Sequence, residues 1–506
     1  MNLIFPRRRF LKATAASGAL LGLGDLGFLS TLPSVSAKEA RLDPKLVQLS
    51  PEIEPLVRLL EVTPRQRLLE EMGRRIRRGL TYREVLAALL LAGVRNVQPR
   101  PVGFKFHAVL VVNSAHLASL ASPDSDRWLP IFWALDYFKD SQARNEREGN
   151  WHLGPVDEAA VPPAHKARAA FLDAMHNWDE AAADAAVAGL ARTAAPKEVF
   201  EIFCRLGARD FRDIGHKAIY VANSWRTLQH IGWQHAEPVL RSLAYALLEH
   251  EGDNPAKRDA TPDRPWRRNL ELARKVRQDW LASEATPAAT TELLEALRHA
   301  SEAEASDKVV ALLNRGTAPQ SLWDALFEGA GELLMRDPGI RSLHAVTSAN
   351  ALHFAFQTTQ SDETKRLLLL QTAAFLPLFR GEPSKKEAVQ IDKFAAEPLK
   401  TAGPAVVDEI FAEISHDRMG AARKTLAYLE AKHPAKDFLD TARRLLFLKG
   451  TNAHDYKFSS AVLEDFPHVS PAWRDRFLAS SVFWLSSSGA PENELVKRTR
   501  AALQGS

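Results

Sequence analysis

The stretch "HAVTSANALH", residues 344–353, repeats a pattern already present in "HAVLVVNSAH", residues 107–116. Both read His-Ala-Val, three residues, Asn, two residues, His. A third stretch, "KAIYVANSWR", residues 217–226, keeps the frame with Lys217 and Arg226 at the histidine positions, and His216 stands just before it. Taken as helical, each copy puts its Asn three residues before its last polar residue, so each pair shares a face. His216, Asn223 and His230 are spaced seven and seven, on one stripe two turns apart each time. Apolar residues surround them, among them Phe106, Ile219, Tyr220, Trp225 and Phe354. Burying amides and imidazoles without partners costs a few kcal/mol each. The copies are therefore expected to meet one another, a ligand or water.

Outward from these copies the text stays helical. Thr81 reads as an N-cap for "YREVLAALLLAG" and Gly93 as its stop. "KARAAFLDAMHNWDEAAADAAVAGLARTA" and "APKEVFEIFCRLGA" give further helices. "AEPVLRSLAYALLEHEG" begins near Pro238 and ends near Gly252. Residues 253–266, rich in Pro and Asp, read as a loop, and a helix pair covers 418–450. Alternating β-type patterning is scarce. The expected fold is all-α: a large multi-helix domain with a central polar cavity. A main domain over 38–380 and a helical C-terminal subdomain over 381–506 are expected. No repeat of 34 or 40 residues marks a solenoid.

The first residues, "MNLIFPRRRFLKATAASGALLGLGDLGFLSTLPSVSAKEA", match a twin-arginine export signal. Arg7 and Arg8 precede Phe10, Leu11 and Lys12, and Val35-Ser36-Ala37 forms a small-x-small cleavage site. The reading is a signal peptide over 1–37, engagement of the Tat export machinery, and a periplasmic or extracellular mature protein. The leader holds four of the 66 basic residues and one of the 62 acidic ones, so the remainder is nearly neutral. That argues against nucleic acid as a partner. No later segment reads as a transmembrane span. The single cysteine, Cys204, excludes an internal disulfide, Cys-rich zinc sites and cysteine-bound iron–sulfur clusters. Its apolar context reads as buried packing. The recurring His/Asn pattern carries no Glu-x-x-His, and His-Glu-x-x-His, glycine-rich phosphate loops and Gly-x-Ser-x-Gly elbows are missing from the chain.

The remaining chemistry is that of histidine. Neutral imidazoles from separate helices suit iron or copper better than calcium or magnesium, which prefer oxygen. The expected metal ligands are His116, His230 and His353, with His235 nearby. Asn113, Asn223 and Asn350 orient the ligands or bound groups. Catalytic roles fall to His216, His454, Lys217 and Arg226, the last two stabilising negative charge. In "TNAHDYKF", His454 and Lys457 either form a plain helix start or point back into the cavity. In "WLPIFWALDYFKD" the aromatic run reads as core, with a substrate wall as the alternative; Asp136 and Asp140 bind a metal or face water.

At "GHKAIYVANSWRTLQHIGWQHAEPVLRSLAYAL", "HAVTSANALHFAF" and "AHDYKF" the chain resembles the questin oxidase-like family, over residues 95 to 470. The resemblance implies a large, mainly helical protein that inserts oxygen into aromatic polyketides. It points to His216, His230, His235, His344, His353 and His454. The export signal departs from the fungal members of that family, so their substrate does not carry over. The sequence thus leads to an exported, metal-dependent oxidoreductase acting on an apolar or aromatic small molecule. Two other readings fit the same residues: a periplasmic helical interaction protein whose His/Asn pairs are interhelical hydrogen bonds, and a binding protein without turnover.

Overall fold

The computed structural model describes residues 45–380 and 389–504; the leader expected over 1–37 lies outside them. Residues from Val47 onward form one compact unit, which takes in both expected segments from there on. The described residues are helical throughout, with no strand and a single isolated bridge between Glu284 and Thr317. No described helix is long and apolar enough to cross a membrane.

Eight helices build or flank the polar centre: α1 (Tyr82–Asn96), α2 (His107–Leu110), α3 (Val112–Ala121), α4 (Leu129–Arg147), α5 (His216–Ile231), α6 (Pro319–Arg336), α7 (Ile340–Thr358) and α8 (Ala453–Lys457). Local chemistry sets several starts. Thr81 and Glu84 form a reciprocal capping box for α1, as do Asn452 and Asp455 for α8. Gly93 does not stop α1 as expected. It lies inside the helix where Val109 approaches, and a Cβ there would meet the Val109 Cγ2 at 2.7 Å. "HAVLVVNSAH" is not one helix either: the chain breaks at Val111 between α2 and α3. The expected helix over 238–252 runs instead from Ala236 to Leu247. The expected loop over 253–266 contains two short 3-10 turns, and a helix begins at Arg264. The last helix of the described residues is Glu494–Gln504.

The helix α7 is the central strut. It packs against α5, α6 and the helix Asp362–Phe379, and its middle is buried all round. This explains why its polar residues lie inside: a helix enclosed on every side has no solvent face for them. A large apolar core extends from Val47 to Ala502, with a small second cluster of Leu129, Leu448 and Val496.

One buried acid is left to itself. On α6, Asp324, Glu328 and Glu332 recur every fourth residue and are all buried. Asp324 accepts from Ser470 and Gln320, and Glu332 from Arg298. Glu328 is fully enclosed, and neither carboxyl oxygen has a partner. Burial, with Asp324 adding to it, holds its carboxyl well above the ordinary value of 4.5. The folded chain therefore keeps a proton that the unfolded chain releases above about pH 4.5, and stability falls as pH rises from there. Glu328→Gln should remove this loss. In urea unfolding from about pH 5 to 8, the variant's advantage over wild type should grow by up to about 1.4 kcal/mol per pH unit. Parallel pH profiles would show that Glu328 does not hold its proton.

Candidate metal centre

Four histidines and one lysine meet in the interior. His107 opens α2, His216 opens α5, His344 lies in the second turn of α7, and His454 and Lys457 sit on α8. The Nε2 atoms of His107 and His216 are 3.0 Å apart, and those of His344 and His216 are 2.9 Å apart. Lys457 Nζ stands 3.0 Å from His216 Nε2, 3.0 Å from His344 Nε2 and 3.4 Å from His107 Nε2. The His454 ring packs edge-on against His107 and His344, with centroids 4.8 and 5.6 Å away. His107, His216, His344 and Lys457 are buried; His454 is half-buried.

The tautomers follow from the backbone. His216 Nδ1 donates to the Asp213 carbonyl at 2.7 Å and His344 Nδ1 to the Ile340 carbonyl at 2.6 Å. The Phe104 backbone favours a proton on His107 in the same sense. A carbonyl oxygen can only accept, so each Nδ1 carries the proton. Burial, with Lys457 beside them, pushes all three rings well below the ordinary histidine range, so they are neutral. Their Nε2 atoms are then lone pairs aimed at one another. Three lone pairs about 3 Å apart repel unless a cation lies among them. Here the cation is the Lys457 amine, which burial pushes down to about 7. Among the described residues no carboxylate hydrogen-bonds any of the five side chains. The arrangement collects nitrogen donors around a place for positive charge.

Part of this cluster could hold a metal ion. His107, His344 and His454 offer ligand atoms within 4.8 Å of one another, the only such trio among the described residues. His216 lies outside that trio but meets two of its members, His107 and His344. Each ring's outer nitrogen is tied to the backbone in three of the four, the support that ligating histidines ordinarily have. The turn before His216 is tightly built: Asp213 and Ile214 adopt left-handed φ of 55° and 45°. Gly103, at φ +129°, lies so near that a Cβ would stand 3.0 Å from the His216 ring. Burial and the adjoining Glu249 push the Asp213 carboxyl up to about 8.

The expected ligand set is not brought together. His116 pairs with His230, ring centroids 4.1 Å apart, and its Nδ1 meets the Tyr82 hydroxyl at 2.9 Å. His353 sits apart from that pair, among Trp323, Phe327 and His468. His235 lines a surface cleft of about 480 Å³ with Gln234 and Glu237. Of the expected catalytic residues, His216 and His454 belong to the cluster. Lys217 turns away to Asp210, 3.0 Å distant, and to the Leu247 and Glu249 carbonyls. Asp136 and Asp140 are held by Arg65. The aromatic run on α4 packs as core: Trp133 stacks on Tyr456, centroids 3.4 Å apart, and so braces α8 behind Lys457.

The asparagines build a second polar layer. Arg226 Nη1 donates to Asn223 at 3.0 Å and to Asn350 at 3.1 Å, while Nη2 pairs with Glu464 at 3.1 Å. Asn350 donates to Glu464 and Asp465. Asn223 reaches the Leu110 carbonyl, and Asn113 donates to Ser460. These contacts tie α3, α5, α7 and the segment after α8 together.

Sequence reasoning gives His107 no role; His344 is pointed to only by the resemblance, and Lys457 is weighed as pointing into the cavity without being assigned to the site. Their signal was present: both "HAV" copies begin with the histidine that enters the site. In the third copy the frame had been set on Lys217, one residue past the true counterpart, His216.

The Arg226 network is structural, and Arg226→Met should show it. Removing the guanidinium strands Glu464 and two buried amides, at a cost on the order of 2–4 kcal/mol in urea unfolding, with the helical spectrum retained at low urea. An unchanged midpoint would remove the network's energetic weight. In comparisons with known proteins, no family model, no curated protein and no solved structure matches this chain.

Proposed function

We propose that the chain is an oxidoreductase that holds a redox-active transition metal, iron or copper, on His107, His216, His344 and His454, and oxidises an apolar or aromatic small molecule there. The observation that carries this reading is the convergence of three lone pairs fixed by backbone carbonyls. A purely structural cluster of neutral histidines would alternate donors and acceptors, as imidazoles can. This one presents acceptors only, with a single amine as counterpart. Nitrogen donors without carboxylates suit iron or copper over magnesium or calcium. Such an ion, when bound, supplies one-electron chemistry and a site for dioxygen.

The chain's own residues supply the rest. Phe104, Asp213 and Ile340 fix the ring tautomers through their carbonyls. Lys457 is the group nearest the ligand atoms that can carry or release a proton. Half-buried His454 marks the side from which the cluster is reached. The resemblance to the questin oxidase-like family would imply the same class of reaction. Export by the twin-arginine route, which carries folded proteins, fits a metal loaded before transport.

Elemental analysis of protein purified without chelators tests the reading. The expected result is close to one iron or copper per chain, lost in His107→Ala and His344→Ala but kept in His116→Ala and His353→Ala. Circular dichroism on each variant confirms that the helices remain. A folded wild-type chain that takes up neither metal, or equal loss in all four variants, would sink the proposal.

A further inference from the structure

The helix α5 opens with His216 and closes at a cleft. Trp225, Leu228 and Gly232 near its end, with Trp233 just beyond, line an open cleft of about 540 Å³ together with Ala195, Pro196 and Lys197. The lining is mostly apolar and contains no carboxylate. Aromatic packing holds its shape: Phe200 stacks on Trp225, ring centroids 4.3 Å apart, and Trp233 stands edge-on to Trp225 at 5.7 Å. Trp225 follows His216 by nine residues on α5, roughly 14 Å along a helix, so the cleft is separate from the histidine centre.

Three donors at this cleft lack acceptors. Trp225 is only 7 % exposed, yet its Nε1, which can only donate, has no partner. A buried donor left unpaired costs about 1–3 kcal/mol. The helix Pro196–Gly207 starts at the cleft without a capping side chain. Its N-cap is Ala195, Pro196 carries no N–H, and Glu198 and Val199 donate to the Ala195 carbonyl, which leaves the Lys197 amide. The Lys197 side chain is exposed and makes no ion pair among the described residues. The acid of the same turn, Glu198, pairs with Arg168 at 3.4 Å. An uncapped helix start adds partial positive charge to that of the lysine. Donors and positive charge therefore border apolar walls.

We infer that this cleft is a second ligand site, independent of the histidine centre, and that it binds a small apolar molecule bearing one carboxylate. The apolar body lies against Trp225, Leu228 and Trp233. The carboxylate meets the Lys197 ammonium and amide at the helix start, the ordinary place for an anion on a helix. The cleft has the make-up of a small-molecule site, with apolar walls for affinity and a few polar groups for orientation, and its volume falls in the usual range of roughly 300–1,000 Å³. An uncharged hydrocarbon would leave Lys197 unmet. A multiply charged anion such as a nucleotide would find one lysine and little else polar. A second copy of the chain is the competing occupant and is separated by the test.

The test is titration calorimetry with octanoate and with 1-octanol, which has the same chain length and no charge. Wild-type protein should bind octanoate at one site and 1-octanol about tenfold more weakly. Lys197→Glu should weaken octanoate by about tenfold and leave 1-octanol unchanged. That residue is exposed, and an acid suits the first turn of a helix, so the variant folds. Trp233→Ala should weaken both compounds, with circular dichroism confirming the helices. His107→Ala, at the other site, should bind octanoate as wild type does. Equal affinity for the two compounds, or octanoate binding unchanged in Lys197→Glu, overturns the carboxylate site. Loss of octanoate binding in folded His107→Ala also overturns it and assigns the ligand to the histidine centre. A folded wild-type chain that takes up no octanoate overturns it as well. If that chain sediments as a dimer and Trp233→Ala as a monomer, the cleft belongs to a second copy. Octanoate binding does not need the metal, so this result and the metal content of the chain stand or fall separately.

Discussion

Three backbone carbonyls decide the chemistry of this protein. Those of Asp213 and Ile340 each take the Nδ1 proton of a histidine three or four residues later, and the Phe104 backbone favours a proton on His107 in the same sense. That bond fixes the tautomer and the direction of the ring together. Had the rings been free to flip, neighbouring imidazoles would have hydrogen-bonded as donor and acceptor, and the cluster would be ordinary core. With every Nδ1 occupied, the Nε2 lone pairs converge and positive charge becomes a requirement. Lys457 meets that requirement at the cost of a much weakened amine. Much around the cluster serves to keep these carbonyls in place: the strained turn at Asp213 and Ile214, the glycine at 103, and the enclosure of α7.

The same helices carry two polar layers with opposite chemistry. Asn223 and Asn350 follow His216 and His344 by seven and six residues, roughly 9–10 Å along a helix. In that second layer a guanidinium meets a carboxylate and two amide oxygens, and the asparagines close the remaining bonds. Arg226 offsets Glu464, and burial beside Glu464 holds the Asp465 carboxyl well above its ordinary range, so the layer holds helices in register. In the histidine layer no carboxylate offsets the lysine. A balanced network is what structure alone produces, and an unbalanced collection of donors is what a ligand site looks like before its ligand.

The all-α fold was legible because helical periodicity and caps such as Thr81 are local signals. The recurrent His/Asn element rightly marked buried helices, but it did not reveal which of its residues meet. That choice depends on helix ends and breaks. α5 begins at His216, so the counterpart of His107 and His344 lies one residue before the frame that Lys217 seemed to keep. The break at Val111 separates His107 from Asn113 and His116, so spacing along one continuous helix misplaces them. Lys457 enters from a five-residue helix more than a hundred residues beyond His344, and nothing in its local sequence signals that distance. His116, His230 and His353 resemble ligands by composition alone. Their surroundings are a tyrosine hydroxyl, the protein surface and a set of aromatic rings.

The span of the site along the chain has an energetic consequence. Its donors come from positions 107, 216, 344, 454 and 457, so the unfolded chain presents no preformed set. Any cation that binds the assembled cluster stabilises the folded state by mass action, with a strength set by its concentration relative to its dissociation constant. Because the donors lie on α2, α5, α7 and α8, that stabilisation acts on the whole unit rather than on one turn or one helix pair. Opening any one of these segments would release the ion, so the ion resists all of those openings together. The lysine is a weaker tie of the same kind: already attached to the chain, it holds α8 against the three rings.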